Sequence, residues 1–397
     1  MKVAFLYPGQ GTQRPGMLHD LPAHPAVAET LAEAEHVLPG SSLQDGAEAL
    51  RSSVTTQVAL CIAGVAATRA LDREGATPDA VAGHSAGAFP AAVASGALTF
   101  AEALTAVRKR GELMRDAYPR GYGMAAVLGL SVPQVRRVVA KVATEAGPAY
   151  VAVIDSDQQV VVAGGTHALE RLAATAAEAG ARHVQRLDIA VPSHCPLLAG
   201  VADAMTDHLA AVPRRRLTVP YLSDSTGRLL HDAGAVLDDL ARGVATTVRW
   251  RDVTALLGEL GTTLFVQTPP GHVLARLARA AHPDARVVAL AGTRIADVVF
   301  LARRARRAPQ KHDPVKGKDD EPVQAPERRS HASRCVRSIG NPLRNLDDDA
   351  ATVADFLRTV SGPVVLAEAD RTGARCDQHP DLVLCRAAGG ARRGLPG

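Results

Sequence analysis

Apolar positions near the start of the chain fall into two patterns. Short continuous runs read as buried strands, and longer stretches with apolar residues every three or four positions read as helices. Lys2–Tyr7 is a short apolar run stopped by Pro8-Gly9, which predicts a buried strand. Polar, glycine-containing sequence follows. Val54–Ala70 has helical periodicity, Ala80-Val81-Ala82 predicts a second short strand ending at Gly83, and alanine-rich Ala86–Ala97 predicts a closely packed helix. Phe100–Ala117 continues as an amphipathic helix. This alternation predicts an α/β layer with a largely parallel sheet.

A different pattern begins at Gly123. Met124–Leu130 predicts a strand and Ser131–Glu145 a helix, with Ser131 as N-cap and Pro133 in the first turn. Tyr150–Ile154 and Gln158–Ala163 predict two strands around a polar turn. Thr166–Ala179 predicts a helix closed by Gly180, and Arg182–Ile189 a last strand. The order β-α-β-β-α-β is the split βαβ, or ferredoxin-like, unit. Past Val191 the chain returns to mixed helix and strand, with Thr263–Gln267 and Ala285–Leu290 as the last strands of the large sheet. The expected organisation is a large α/β unit in two parts, 1–123 and 191–302, interrupted by a small subdomain at 124–190. A basic, proline-containing linker at 303–345 and a C-terminal extension at 346–397 follow. That extension holds a helix-like stretch, Asp347–Thr359, and a strand-like run, Pro363–Ala367.

A chain of 397 residues has room for two or three domains. With 47% apolar and 22% charged residues it is neither fully disordered nor collagenous. No apolar run is expected to reach the ~20 residues that cross a bilayer, and the N-terminal run is too short for a signal peptide. The expected location is therefore the cytoplasm. Cysteines at 61, 195, 335, 376 and 385 form no closely spaced pair, so no metal site and no disulfide framework is expected. The net charge of +4 is unevenly spread: between Arg303 and Arg344, 12 Lys/Arg stand against 5 Asp/Glu, and the remainder of the chain sums to −3. Such a segment could touch a polyanion. It carries no aromatic residue to stack on bases, so a solvated tail is expected and nucleic acid is not.

Gly83-His84-Ser85-Ala86-Gly87 fits G-x-S-x-G between a strand and a helix, the context a nucleophile elbow demands. Glycines on both sides of the serine permit the tight turn. The pentapeptide alone is weak, and an ordinary Gly-Ser turn is the plain alternative. Val191-Pro192-Ser193-His194-Cys195-Pro196 sets a histidine between two prolines, a candidate base with a fixed direction. Tyr7-Pro8-Gly9-Gln10-Gly11-Thr12-Gln13 lacks the Lys-Ser/Thr of a phosphate loop, and suits delivery of one backbone N–H beside the serine. Arg108-Lys109-Arg110 is either surface charge or the source of an arginine that pairs with a substrate carboxylate.

Taken together, Tyr-Pro-Gly-Gln-Gly-Thr-Gln at 7–13, Gly-His-Ser-Ala-Gly at 83–87, Arg-Gly-Glu-Leu-Met at 110–114 and Val-Pro-Ser-His-Cys-Pro-Leu-Leu at 191–198 resemble the malonyl-CoA:acyl carrier protein acyltransferase family. The resemblance covers residues 1 to about 300. Within the family the chain looks most like the epsilon subunit of malonate decarboxylase, through Ser85-Ala86-Gly87-Ala88-Phe89, Val248-Arg249-Trp250 and Thr268–Leu274. Two places depart from the pattern: Ser223–Arg228 is less basic, and Asp155 stands where the family often has asparagine.

The resemblance implies an α/β-hydrolase-like acyltransferase domain with a parallel-sheet core and an inserted ferredoxin-like subdomain. It implies Ser85 as nucleophile and His194 as general base, oriented by a backbone carbonyl near Arg249. It further implies an oxyanion hole from the Gln10 and Ala86 N–H groups, Arg110 as holder of the malonyl carboxylate, and Gln57 in the same pocket. The substrates implied are malonyl-CoA and the prosthetic thiol of an acyl carrier protein, with no bound cofactor. Other malonate decarboxylase subunits are implied as partners. Fatty-acid or polyketide malonyl transacylase and serine esterase are the rival readings. The last 95 residues fall outside the resemblance; Ser338–Leu343 and Asp347–Leu366 resemble the strand-helix-strand before the elbow of α/β-hydrolases, so the extension at 346–397 is expected to be a hydrolase remnant, with a partner-docking tail as the alternative.

Overall fold

The structure is a computed structural model that describes residues 1–118 and 120–307, together with two short strands at 365–366 and 383–384. The chain opens with β1 (Val3–Tyr7), α1 (Pro25–Val37), α2 (Ser53–Arg73), β2 (Ala80–Gly83), α3 (Ala88–Ser95) and α4 (Phe100–Ala117). Next come β3 (Tyr122–Leu128), α5 (Val132–Ala146), β4 (Ala149–Ser156), β5 (Gln159–Gly165), α6 (Thr166–Glu178) and β6 (His183–Arg186). The third stretch holds α7 (Ala199–Leu209), β7 (Tyr221–Leu222), β8 (Leu229–Leu230), α8 (Ala233–Arg242), α9 (Trp250–Glu259), β9 (Leu264–Gln267), α10 (Val273–Ala281), β10 (Arg286–Ala289) and α11 (Ile295–Arg307). In the separate unit that begins at Asp313, β11 (Val365–Leu366) and β12 (Val383–Leu384) pair in parallel.

The main sheet has the order β10-β9-β1-β2-β7-β8, parallel except for the β7–β8 hairpin. β1 lies at its centre with all five residues buried. Val3, Phe5 and Tyr7 enter the core formed with α1 to α4, whereas Ala4 and Leu6 enter the core on the opposite face, with α9 and α10. Burial on both faces is why this strand reads as a continuous apolar run rather than an alternation. The strand order reverses around β1 and β2, so the crevice at their carboxyl ends is the expected ligand position of an open parallel sheet.

The second sheet has the order β4-β5-β3-β6 and is antiparallel. One face packs on α5 and α6 through Val135, Val142, Leu169 and Leu172. The other turns Met124, Val153, Val161 and Ala163 towards the main sheet. This is the ferredoxin-like order.

Several expectations need correction. α2 is long and apolar enough by composition to cross a bilayer, contrary to the expectation that no such segment exists. It is instead the core helix: Leu60, Ile62 and Leu71 are among its fully buried residues, each stabilising by about 1.5–3 kcal/mol. The sequence pattern gives no sign of α1, because its buried positions are Ala26, Val27, Thr30 and Ala34, too small and polar to form an obvious stripe. The helix expected from Ala86 starts as a 3-10 turn over Ser85–Gly87, and the α-helix proper begins at Ala88. The first five residues of the expected linker, 303–307, belong instead to α11, which runs to Arg307, and the remainder of that linker lies outside the described residues. Arg306 of α11 reaches Thr77 and Asp79 at the edge of β2. Asp347–Thr359 lies outside the described residues, as does the remainder of the proposed hydrolase remnant apart from β11 and β12.

Candidate active site

β1 and β2 end side by side, and their loops build the floor of the site. The His84 N–H donates to the Tyr7 carbonyl at 2.9 Å, locking the two strand ends together. Ser85 then turns with φ of +55°. The turn closes only on glycine: a Cβ at Gly83 would run into the Gly87 carbonyl, and one at Gly87 into the Tyr7 carbonyl. Both obstacles are backbone and cannot move aside. Gly87→Ala is therefore expected to destabilise the protein by about 3 kcal/mol or more, read from the urea unfolding midpoint. An unchanged midpoint would show that the strand ends can separate at little cost.

His194 comes from the loop before α7, with φ of +62°. Its N–H donates to the Val244 carbonyl at 2.7 Å, and its Nδ1 lies 2.8 Å from the Gly243 carbonyl oxygen. A carbonyl can only accept, so Nδ1 carries the hydrogen and Nε2 presents a lone pair. Nε2 is 2.7 Å from Ser85 Oγ. Among the described residues, Ser85 and His194 are the two non-glycine residues at positive φ, each strained by about 1–2 kcal/mol. Burial, and then the charge of Arg110, push the imidazole down to about 3, so it is neutral at neutral pH.

Arg110 projects from α4 and is 3% exposed. Its Nη1 donates to Gln57 Oε1 at 2.5 Å and its Nη2 to Ser85 Oγ at 3.2 Å. Burial lowers the guanidinium to about 10, which leaves it charged at neutral pH. Gln57, fully buried on α2, holds Arg110 rather than facing open space. Gln10 anchors its side chain on Ser53 Oγ at 3.1 Å. Among the described residues neither the Gln10 nor the Ala86 N–H donates to a protein group.

The structure thus brings Ser85, His194, Arg110 and Gln57 together, with Gln10 and Ala86 beside them. It does not bring Arg249. The carbonyl on His194 belongs to Gly243, at the end of α8, while the Arg249 side chain is half-exposed and paired with Asp252 at 2.9 Å. The turn after α8 supplies the carbonyl behind His194, whereas Arg249, at the start of α9, meets the site only through its backbone N–H on the Asp224 carbonyl.

Sequence reasoning missed a set of ionisable groups beneath the serine. Asp224, in the turn after β7, is 3% exposed and accepts the Ser85 N–H through Oδ2 at 2.7 Å. His84 Nε2 is 3.1 Å from Asp155 Oδ1. Burial works to lower His84, but the Asp155 hydrogen bond and charge, with the charge of Asp224, raise it overall. Asp155 and Asp224 both lie at places where the sequence departs from the family pattern, which was the available signal.

Above the serine lies a cleft of about 450 Å³. Gly9–Gln13, Ser85, Arg110 and His194 line one side, and Met124, Val153 and Val161 of the small sheet line the other. A hydroxyl hydrogen-bonded to a neutral imidazole, with a buried cation beside it, is an arrangement that can carry acyl transfer through a serine.

The acyl transferase domain family matches residues 4–313. The malonyl CoA-acyl carrier protein transacylase of Escherichia coli (strain K12) is 36% identical over 287 residues, which is 70% of this chain and 91% of that protein. The Bacillus subtilis protein of the same name is 33% identical over 296 residues, 73% of this chain and 93% of that protein. Among solved structures, an acyl-carrier-protein S-malonyltransferase from Burkholderia pseudomallei superposes with a TM-score of 0.72 at 33% identity, covering 76% of this chain and 100% of that one. A malonyl-transacylase in complex with a type II polyketide acyl carrier protein gives a TM-score of 0.71 at 32% identity, over 76% and 99%. The chain belongs to the acyl transferase domain family and has the fold of its malonyl-transferring members.

Proposed function

We propose that this chain is a malonyl-CoA:acyl carrier protein S-malonyltransferase that works through an ester on Ser85. His194 Nε2 takes the Ser85 proton as Oγ attacks the malonyl thioester, and gives it to the departing CoA thiolate. The Gln10 and Ala86 N–H groups receive the oxyanion. In the second half-reaction His194 deprotonates the carrier thiol, which attacks the seryl ester and regenerates Ser85. The observation that carries the choice of malonyl is the buried guanidinium of Arg110, 3.2 Å from the nucleophile. A neutral acyl chain leaves that guanidinium with no carboxylate hydrogen-bonded to it among the described residues, since it bonds only Gln57 and Ser85, whereas the free carboxylate of malonyl can pair with it through two parallel hydrogen bonds. Pairing also cancels a charge that depresses His194, so the base strengthens as the right substrate binds.

Arg110→Ala is therefore expected to lose roughly a hundredfold or more in kcat/KM for malonyl-CoA, since stranding one member of a buried pair costs about 3–5 kcal/mol. Acetyl-CoA should hold or improve, because the variant also removes the cation that weakens His194. Lysine at 110 should rescue in part, supplying charge without the planar fork. Equal losses on both thioesters would make Arg110 structural and remove the support for a malonyl substrate. Faster turnover of uncharged esters than of malonyl transfer would favour the esterase reading.

The narrower reading as a malonate decarboxylase epsilon subunit is supported by Ser85-Ala86-Gly87-Ala88-Phe89 and by Thr268–Leu274. It differs in the accepting carrier and not in the chemistry. Transfer from malonyl-labelled Ser85 to a decarboxylase carrier subunit, in preference to a fatty-acid or polyketide carrier, is the measurement that separates them.

A further inference from the structure

We propose that Asp224 is a positioning residue of this reaction: its buried carboxylate holds the nucleophile turn through the Ser85 N–H and supplies the negative charge that offsets the cations around the serine. The hydrogen bond from Ser85 N to Asp224 Oδ2 is 2.7 Å. It falls on one of the two strained non-glycine residues among those described. Ser85 has few alternatives at that φ, so an acceptor below its N–H fixes where Oγ points. Asp224 is itself held, because its carbonyl accepts the Arg249 N–H at 2.6 Å.

The groups around Asp224 come from every neighbouring element. His84 of the elbow and Arg110 of α4 act on it as cations, and Asp239 of α8 acts as an anion. Tyr221 of β7 is a buried neutral phenol that donates to Asp239 at 3.2 Å. Asp155 of β4 reaches Asp224 only through His84, and Arg249 at the start of α9 directs its charge to Asp252. His194, from the loop before α7, is neutral. Asp239 is already bound by the Ser223 and Ser225 hydroxyls as well as by Tyr221, which leaves Asp224 as the carboxylate that meets the nucleophile.

Burial, and then Asp239, raise Asp224 to about 7, against the pull of the Ser85 N–H, His84 and Arg110. Above that pH the carboxylate is charged, and below it the group is neutral. Loss of the anion leaves Arg110 uncompensated beside His194 and weakens the base further. The acid limb of acylation near neutral pH therefore belongs to Asp224 and not to His194, which stays neutral down to about 3.

The test is the pH dependence of single-turnover labelling of Ser85 by malonyl-CoA. Wild type should fall by roughly three- to tenfold as pH drops through 7, the effect of one nearby charge on a base. Asp224→Asn keeps an oxygen for the Ser85 N–H and removes the charge. It should stay near the low-pH wild-type rate at every pH, with no limb. Asp224→Ala, which removes the acceptor as well, should be slower still. A limb retained at the same pH in Asp224→Asn overturns the proposal, and so does a wild-type rate in Asp224→Ala. Infrared difference spectra across the same range give a reading independent of the kinetics: the wild type should show a buried carboxyl titrating near neutral pH that Asp224→Asn lacks, and a band left unchanged in that variant overturns the proposal. The role rests on the malonyl-transfer reading for its assay alone. A wild type that takes no label fails that reading, while the infrared titration still decides the state of the carboxyl.

Discussion

Ser85→Ala protein incubated with radiolabelled malonyl-CoA is expected to carry no covalent label and to transfer malonyl at the background rate. Ser85 Oγ is the atom to which the site is built: His194 Nε2 stands at 2.7 Å and Arg110 Nη2 at 3.2 Å. Removing a nucleophile of this kind costs about a millionfold in turnover. The fold should survive, because alanine is strained at φ of +55° by about as much as serine, and the N–H that bonds Asp224 is backbone. Gel or mass detection of the ester, with circular dichroism on the same sample, checks both halves. Label persisting on a folded variant would place the nucleophile elsewhere.

His194→Ala is expected to slow acylation by roughly a hundredfold to ten-thousandfold, the usual worth of a positioned general base. The loss should appear again in transfer to the carrier thiol, since one imidazole serves both half-reactions. The Gly243 carbonyl can hold Nδ1–H but cannot take a proton from it, so nothing behind the imidazole replaces the base once it is gone. Stopped-time labelling of Ser85, followed by chase with carrier protein, measures the two steps separately. A loss confined to one step would mean that a second group acts in the other.

The parts of this protein legible in its sequence were those set by local chemistry. β1 and β2 stood out because burial on both faces makes a strand a continuous apolar run. The bounds of α4, Phe100 and Ala117, are legible because Thr99 caps it and its apolar face has a helical period. The small sheet followed from strand and helix order, with Ser131 at the N-cap of α5. Ser85 and His194 could be singled out because each sits between residues with special backbone behaviour: glycines that permit a tight turn in one case, prolines that restrict the chain in the other.

What tertiary structure alone decided is which distant groups share a volume with those residues. Gly243 lies 49 residues from the histidine it orients, and Asp224 lies 139 residues from the serine it holds. Neither has a local pattern, because a carbonyl is present at every position and an aspartate in a turn reads as solvated polarity. The charge states were likewise a tertiary matter. The sequence carries Arg110, His84, Asp224 and Asp239 as ordinary ionisable residues. Only their burial around one turn shifts each of them, since desolvation strengthens the interactions left between them.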